Sequence, residues 1–330
     1  MFSGIHKKYN QRFWSKITIS FLFTSYRYAI KNVDISNVSQ ISRFQREIDI
    51  LRDIDHTNVV RLFETYWDKN TLGMVMEVCT GGNLAVVLRR EGVIDEETAK
   101  NYVAQITRAL HHCHERGIVH RDVKLQNILL ESRRENAQLK LIDFGNAIRF
   151  QEDTTLHSLV GTTYTTAPEV FRGNYREKCD IWSLGVISFV LLCGKRPFDG
   201  IELPNVPNSR ESSMIASIIT GRVRFNNKNW EDVSTEGIHF VSCLLQKDVG
   251  KRFSAKEALF HIWLEDGLYN DMILKDDEPY RKTMKNSISR MVDLSDFKKS
   301  AMMAIAFSTP QKNYADMREL FTWMDADNNG

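Results

Sequence analysis

At Gly81-Gly82 the apolar pattern changes period, and no other feature of the chain limits its fold as much. Before that point, Ser25–Val33, Val59–Trp67 and Leu72–Val78 read as strands, while Ile41, Phe44, Ile48 and Leu51 fall at helical spacing. After it, Ala99, Tyr102, Val103, Ile106, Leu110 and Cys113 form one helical stripe, opened by Asp95 and closed by Gly117. Two short apolar runs, Asn127–Leu130 and Leu139–Ile142, lead into amphipathic helices between Asp180 and Leu264. A last stripe at Leu294, Phe297, Ala301 and Ile305 follows a more charged stretch. The expectation is an α+β chain with a small β-rich lobe, a larger helical lobe and a helical tail.

Composition removes several function classes. Lys+Arg 44 against Asp+Glu 42 gives a net charge of +2 over 330 residues, which offers no electrostatic case for nucleic acid or an anionic membrane. Five scattered cysteines (Cys79, Cys113, Cys179, Cys193 and Cys243) include no CxxC pair and fit a reducing cytosol, so a cytoplasmic location is expected. Apolar stretches such as Ile17–Phe23 and Ile187–Cys193 fall short of the ~20 residues that span a bilayer. Residue 2 is Phe rather than Gly, so no membrane anchor is visible. His111, His112 and His114 share a helix, but without a carboxylate motif their spacing is poor metal geometry.

The chemistry lies in a series of polar residues at fixed spacing. Moving a γ-phosphoryl group asks for positioning and for cations around developing negative charge. Tyr28-Ala29-Ile30-Lys31 puts a lysine on a strand, and Glu47 follows 16 residues later on a helix. His120-Arg121-Asp122 lies in a loop after the long helix, with Lys124 next and Asn127 five residues past the aspartate. Asp143-Phe144-Gly145 closes a strand, and Ala167-Pro168-Glu169 comes later. Alone, Lys31 reads as a solvated strand-edge residue, Glu47 as a surface charge and Asp143 as a turn residue. The joint spacing reverses those readings.

Over roughly residues 25 to 265 the sequence resembles the eukaryotic protein-kinase family. The resemblance implies a bilobal fold in which Lys31 contacts ATP phosphates and pairs with Glu47. It implies that Asp122 orients or deprotonates the substrate hydroxyl, and that Asn127 and Asp143 hold Mg²⁺. Glu77 and Cys79 match the hinge that meets adenine, with Met76 just before them and Leu129 beneath the ring. Lys124 and Thr162 look like the serine/threonine branch, Asp180 opens a buried helix, and Glu169 with Arg252 matches an internal ion pair. ATP and Mg²⁺ are the implied cofactors and proteins the implied substrates, with no nucleic acid. Related kinases often carry an acidic residue where this chain has Asn83, which puts a basic-substrate preference in doubt. Arg121 could receive a phosphate from Thr154, Thr155 or Ser158, or Glu152 or Asp153 could serve unmodified.

The family's glycine-rich loop should precede Lys31, yet no glycine occurs between Gly4 and Gly73. Lys16–Phe23 can form a strand, but it cannot bring backbone N–H groups over a triphosphate as glycines do. Two charge-assisted bonds at ~1.5–3 kcal/mol each correspond to a loss on the order of 10²–10⁴ in rate. Two readings stay open: residues 1–24 are not the native kinase sequence, or the chain is a variant with weak or no catalysis, acting as a pseudokinase-like binding module.

At the other end, Leu320, Phe321 and Met324 precede Asp325, Asp327, Asn329 and Gly330, which read as positions 1, 3, 5 and 6 of an EF-hand loop. Kinase, basic-apolar junction and EF-hand together resemble the calcium-dependent protein kinases of plants and protists. That resemblance implies an autoinhibitory junction released by calcium through the protein's own EF-hand domain in a full-length parent. The chain as written is expected to be inhibited and insensitive to calcium. The expected divisions are 1–24 (atypical N-terminal segment), 25–79 (N-lobe), 80–266 (C-lobe), 267–314 (junction) and 315–330 (incomplete EF-hand).

Overall fold

The structure is a computed structural model that describes residues 17–21, 27–34, 38–68, 71–134, 137–151, 154–198, 210–225 and 228–264. The junction and the EF-hand positions Asp325, Asp327 and Asn329 lie outside the described residues.

The first elements build an antiparallel sheet. β1 (Ile17–Phe21), β2 (Arg27–Asp34), β3 (Leu62–Asp68) and β4 (Thr71–Glu77) align in the order β1-β2-β4-β3. Lys31 sits at the centre of β2, opposite Ile17 on one side and Met74 on the other. α1 (Val38–Asp53) buries Ile48 and Leu51 and half-buries Ile41 and Phe44, the stripe its spacing predicts, and buries Ile50 besides. The third strand begins at Leu62 rather than Val59. Leu141 draws off the preceding backbone, accepting from Val60 N–H (3.0 Å) and donating to Asn58 O (2.8 Å).

The chain then crosses to a three-stranded sheet of β5 (Gly82–Asn83), β7 (Ile128–Leu130) and β8 (Leu139–Leu141). Between β5 and β7 lie α2 (Leu84–Glu91), α3 (Glu96–Glu115) and β6 (Ile118–Val119), which pairs with β9 (Ile148–Arg149). Asp95 caps α3 by accepting the Thr98 N–H, and Gly117 follows its last turn at φ 65. Asn83 likewise caps α2 by accepting the Val86 N–H at 3.0 Å.

The helical part is completed by α4 (Pro168–Phe171), α5 (Lys178–Cys193), α6 (Arg210–Thr220), α7 (Thr235–Leu244) and α8 (Ala255–Leu259). α5 departs from the amphipathic pattern and is instead the buried helix that the resemblance implies, since all of Cys179–Cys193 is buried. A helix surrounded on every side has no polar face to write into its sequence. At Gly185 a Cβ would meet the Leu244 Cβ at 2.8 Å, so α5 and α7 touch too closely there for any side chain.

Candidate active site

Two groups of polar side chains form around the ends of β7 and β8. The first joins β2, α1 and the loop after β8. Lys31 Nζ donates to Glu47 Oε1 at 2.7 Å and lies 3.5 Å from Asp143 Oδ1. Burial works against the Lys31 ammonium, but the Glu47 and Asp143 carboxylates outweigh it and hold its pKa above the ordinary lysine value. Burial also pushes the Asp143 carboxyl up, and here the neighbouring Lys31 charge wins and holds it low. At pH 7 Lys31 and Asp143 are therefore both ionised.

The second group centres on Asp122, itself buried. Its Oδ1 accepts from Thr162 Oγ1 at 2.7 Å and its Oδ2 from Lys124 Nζ at 2.7 Å. Lys124 also donates to Thr162 Oγ1 at 2.9 Å, closing a triangle. Asn127 Nδ2 donates to the Asp122 backbone oxygen at 2.9 Å, which leaves its own Oδ1 free of hydrogen bonds among the described residues. The groups adjoin through the backbone, since Ile142 N–H donates to Asn127 O at 2.9 Å and Asp143 is the next residue. Lys31, Glu47 and Asp143 thus meet in one group and Asp122, Lys124, Thr162 and Asn127 in the other.

These loops are held in unusual backbone shapes. Arg121 and Asp143 have φ values of 67° and 63°, a left-handed conformation that costs a non-glycine residue roughly 1–2 kcal/mol. Asp180, fully buried at the start of α5, secures the first: Oδ2 accepts from His120 N–H (2.8 Å) and Oδ1 from Arg121 N–H (2.8 Å). His114 Nε2 adds a third contact at 3.0 Å. Burial pushes the Asp180 carboxyl up, and these partners bring it below the usual range. His120 donates from Nε2 to Ile142 O (3.1 Å) and accepts the Asp122 N–H at Nδ1 (3.2 Å), which fixes one neutral tautomer.

Sequence reasoning missed the residues that hold the second loop. Arg43 Nε donates to Gly145 O at 2.8 Å and its Nη2 to Asn146 Oδ1 at 3.0 Å. Its signal was position alone, four residues before Glu47 on the same helix face. Phe144 beneath them is fully buried, edge-on to His120 with ring centroids 4.8 Å apart. The Arg121 guanidinium is engaged by Asn146 O (2.7 Å) and the Tyr175 hydroxyl (3.1 Å). Glu169 and Arg252 form a buried two-pronged pair at 2.5 and 3.0 Å.

The expected adenine residues lie along the crossing from β4 to β7. Met76 is buried, Cys79 and Leu129 are half-buried, and Thr80 and Gly81 N–H groups bond to Glu131 O and Leu130 O. The Glu77 side chain is occupied by Lys140 at 2.8 Å, and its N–H donates to Arg61 O at 2.9 Å. Burial pushes the Cys79 thiol up to about 12.

A divalent cation site needs hard oxygen donors, and the Asn127 amide oxygen and Asp143 carboxylate supply two at adjoining positions. Lys31 keeps an N–H beyond those directed at Glu47 and Asp143, as a phosphate requires. The residues present fit Mg²⁺ and a nucleotide triphosphate.

A fold of this kind with paired lysine, glutamate and loop aspartates defines a class, and the comparisons agree. Residues 22–264 match the family model described as protein kinase domain, and the chain belongs to the protein kinase family. It is 32% identical over 307 residues to calcium-dependent protein kinase 5 of Plasmodium falciparum, covering 93% of this chain and 52% of that protein. It is 33% identical over 312 residues to calcium-dependent protein kinase 2 of Oryza sativa subsp. japonica, covering 93% and 58%. A CDPK-related protein kinase of Daucus carota is 34% identical over 303 residues, covering 91% and 48%. The chain spans about half the length of the curated relatives it matches. No helix among the described residues is long and apolar enough to cross a membrane.

Proposed function

We propose that this chain transfers the ATP γ-phosphate to serine or threonine hydroxyls of proteins, and that calcium governs it within a longer parent polypeptide. The observation that carries this reading is the contact of Lys31 with both Glu47 and Asp143, which draws a strand cation and a loop carboxylate to one place. In this reading Lys31 binds the α/β-phosphates, and Glu47 keeps its ammonium aimed. Asp122 accepts the hydrogen bond of the acceptor hydroxyl and takes its proton as transfer proceeds. Thr162 and Lys124 fix the carboxylate, and Lys124 adds positive charge beside the acceptor. Asn127 and Asp143 would hold Mg²⁺, which when bound neutralises phosphate charge. Met76, Cys79 and Leu129 would line the adenine position, with the Glu77 backbone at its edge.

Calcium control rests on the names of the relatives and on Asp325, Asp327 and Asn329 as loop ligands. Asn83 is spent on capping α2, so a basic substrate gains no carboxylate there.

A second reading, a nucleotide- or protein-binding module with little catalysis, is favoured by the glycine-free stretch between Gly4 and Gly73, of which β1 forms part. Labelled ATP and a serine-containing peptide distinguish the two. Catalysis predicts Mg²⁺-dependent transfer that falls at least ~10²-fold in both Lys31→Met and Asp122→Asn. Transfer that is absent, or equal in Asp122→Asn, with Mg²⁺-dependent ATP binding intact, overturns catalysis in favour of the binding module.

A further inference from the structure

We propose that His239, Cys243 and His261 form a zinc-class metal site at the end of the helical lobe, apart from the nucleotide machinery. Among the described residues this is the one group of three His, Cys, Asp or Glu side chains whose ligand atoms all lie within 4.8 Å of one another. His239 and Cys243 are four apart on α7 and so share a face. His261 arrives from the turn after α8, so a bound ion would clip two separate elements together.

His261 is the ligand most enclosed by its neighbours. It is buried, with Phe240 at 5.3 Å and Phe253 at 6.0 Å between ring centroids. Its Nδ1 accepts the Trp263 N–H at 3.2 Å, which turns Nε2 toward His239 Nδ1 at 2.8 Å. The two rings are nearly parallel, 21° apart, with centroids separated by 5.1 Å. Cys243 Sγ lies 3.8 Å from His239 Nδ1 and 3.7 Å from its Nε2. Tetrahedral zinc, with Zn–N of about 2.0–2.1 Å and Zn–S of about 2.3 Å, separates N from N by roughly 3.3 Å and N from S by roughly 3.6 Å. The sulfur is therefore already within a few tenths of an ångström of the required separation from His239, and all three ligand atoms lie within 4.8 Å of one another. The nitrogens must part by about half an ångström, which a rotation of exposed His239 supplies.

The protons balance simply. In the metal-free form Nε2 of His261 carries the proton shared with His239. On binding, that proton moves through solvent to Nδ1, and the Trp263 contact is given up. The Cys243 thiol loses its proton to solvent as the S–metal bond forms, and water completes the fourth position. Two nitrogens and one thiolate select Zn²⁺ or Co²⁺ over Mg²⁺ or Ca²⁺, which require oxygen.

The test is a Co²⁺ titration of the purified 330-residue chain, with Zn²⁺ displacement and thermal unfolding in parallel. One equivalent of Co²⁺ is expected to give a thiolate-to-cobalt charge-transfer band and strong visible bands that Zn²⁺ abolishes. The midpoint should rise with Zn²⁺ and not with equal Mg²⁺. Cys243→Ser should remove the charge-transfer band, and exposed His239→Gln should weaken binding at least about tenfold, while Cys79→Ser should change neither. No band in the wild-type chain, or a band that survives in Cys243→Ser, overturns the site. These readouts are independent of phosphoryl transfer, so failure of one proposal leaves the other standing.

Discussion

Replacing Asp180 by Asn tests how the loop bearing Asp122 is held, because the change keeps shape and removes charge. Oδ2 serves two donors, His120 N–H and His114 Nε2, and Oδ1 serves one, Arg121 N–H. The least damaging orientation of the amide points its NH₂ at Arg121 and keeps the carbonyl on the other two. One charge-assisted bond worth ~1.5–3 kcal/mol is then lost. The two that remain become neutral bonds and weaken by roughly 1 kcal/mol each. The sum is about 3–5 kcal/mol, equivalent to a fall in Tm of roughly 6–20 °C for a domain of this size. Arg121, freed from the bond that offsets its left-handed backbone, should relax and carry Asp122 with it. Denaturant unfolding and steady-state kinetics below the lowered Tm measure both effects. The pH dependence gives a further check. The folded-state pKa of Asp180 lies below its unfolded value, so its stabilisation is complete above about pH 4 and fades as pH falls through the folded value. The wild-type advantage over the variant should therefore narrow in acid. A loss under about 1 kcal/mol at neutral pH would refute the argument.

Three other outcomes follow from particular contacts. Arg252→Met strands the buried Glu169 carboxylate and should lower unfolding stability by about 3–5 kcal/mol, while adding Glu169→Gln should recover part of it; no recovery would show that the charge is not the cause. Thr162→Val removes one bond to Asp122 and one from Lys124, so kcat should drop roughly 10–100-fold with the KM for ATP little changed, and Thr162→Ser should retain most of the rate. With its pKa near 12, Cys79 should react with iodoacetamide at pH 8 on the order of 10³ times more slowly than a free thiol, and mass spectrometry showing ordinary labelling there would contradict it.

Local signals in the sequence were reliable wherever a single element decided the outcome. The α3 stripe and its Asp95 cap are properties of one helix, and Lys31 and Glu47 meet because β2 and α1 each present one face. What sequence could not show were partners set by tertiary contact. Asp180 was visible as the start of a buried helix, but its donors come from residues 59 to 66 positions earlier. Arg43 grips Gly145 across 102 residues, announced only by its place one turn before Glu47. Val59 and Val60 carry strand-like side chains, yet their stretch of backbone turns to Leu141 instead of the sheet. α5 left no periodicity to read because burial is uniform around it.

The grip of Arg43 also bears on how small molecules could engage the chain. An inhibitor that wedges itself behind the Asp143-Phe144-Gly145 turn must extract a phenyl ring with no exposed surface from beside His120. It must also break both guanidinium bonds to Gly145 and Asn146 before gaining any contact of its own. Compounds that accept the turn as it stands avoid that penalty. Arg43→Ala, by loosening the turn, should shift selectivity toward the wedging chemotype.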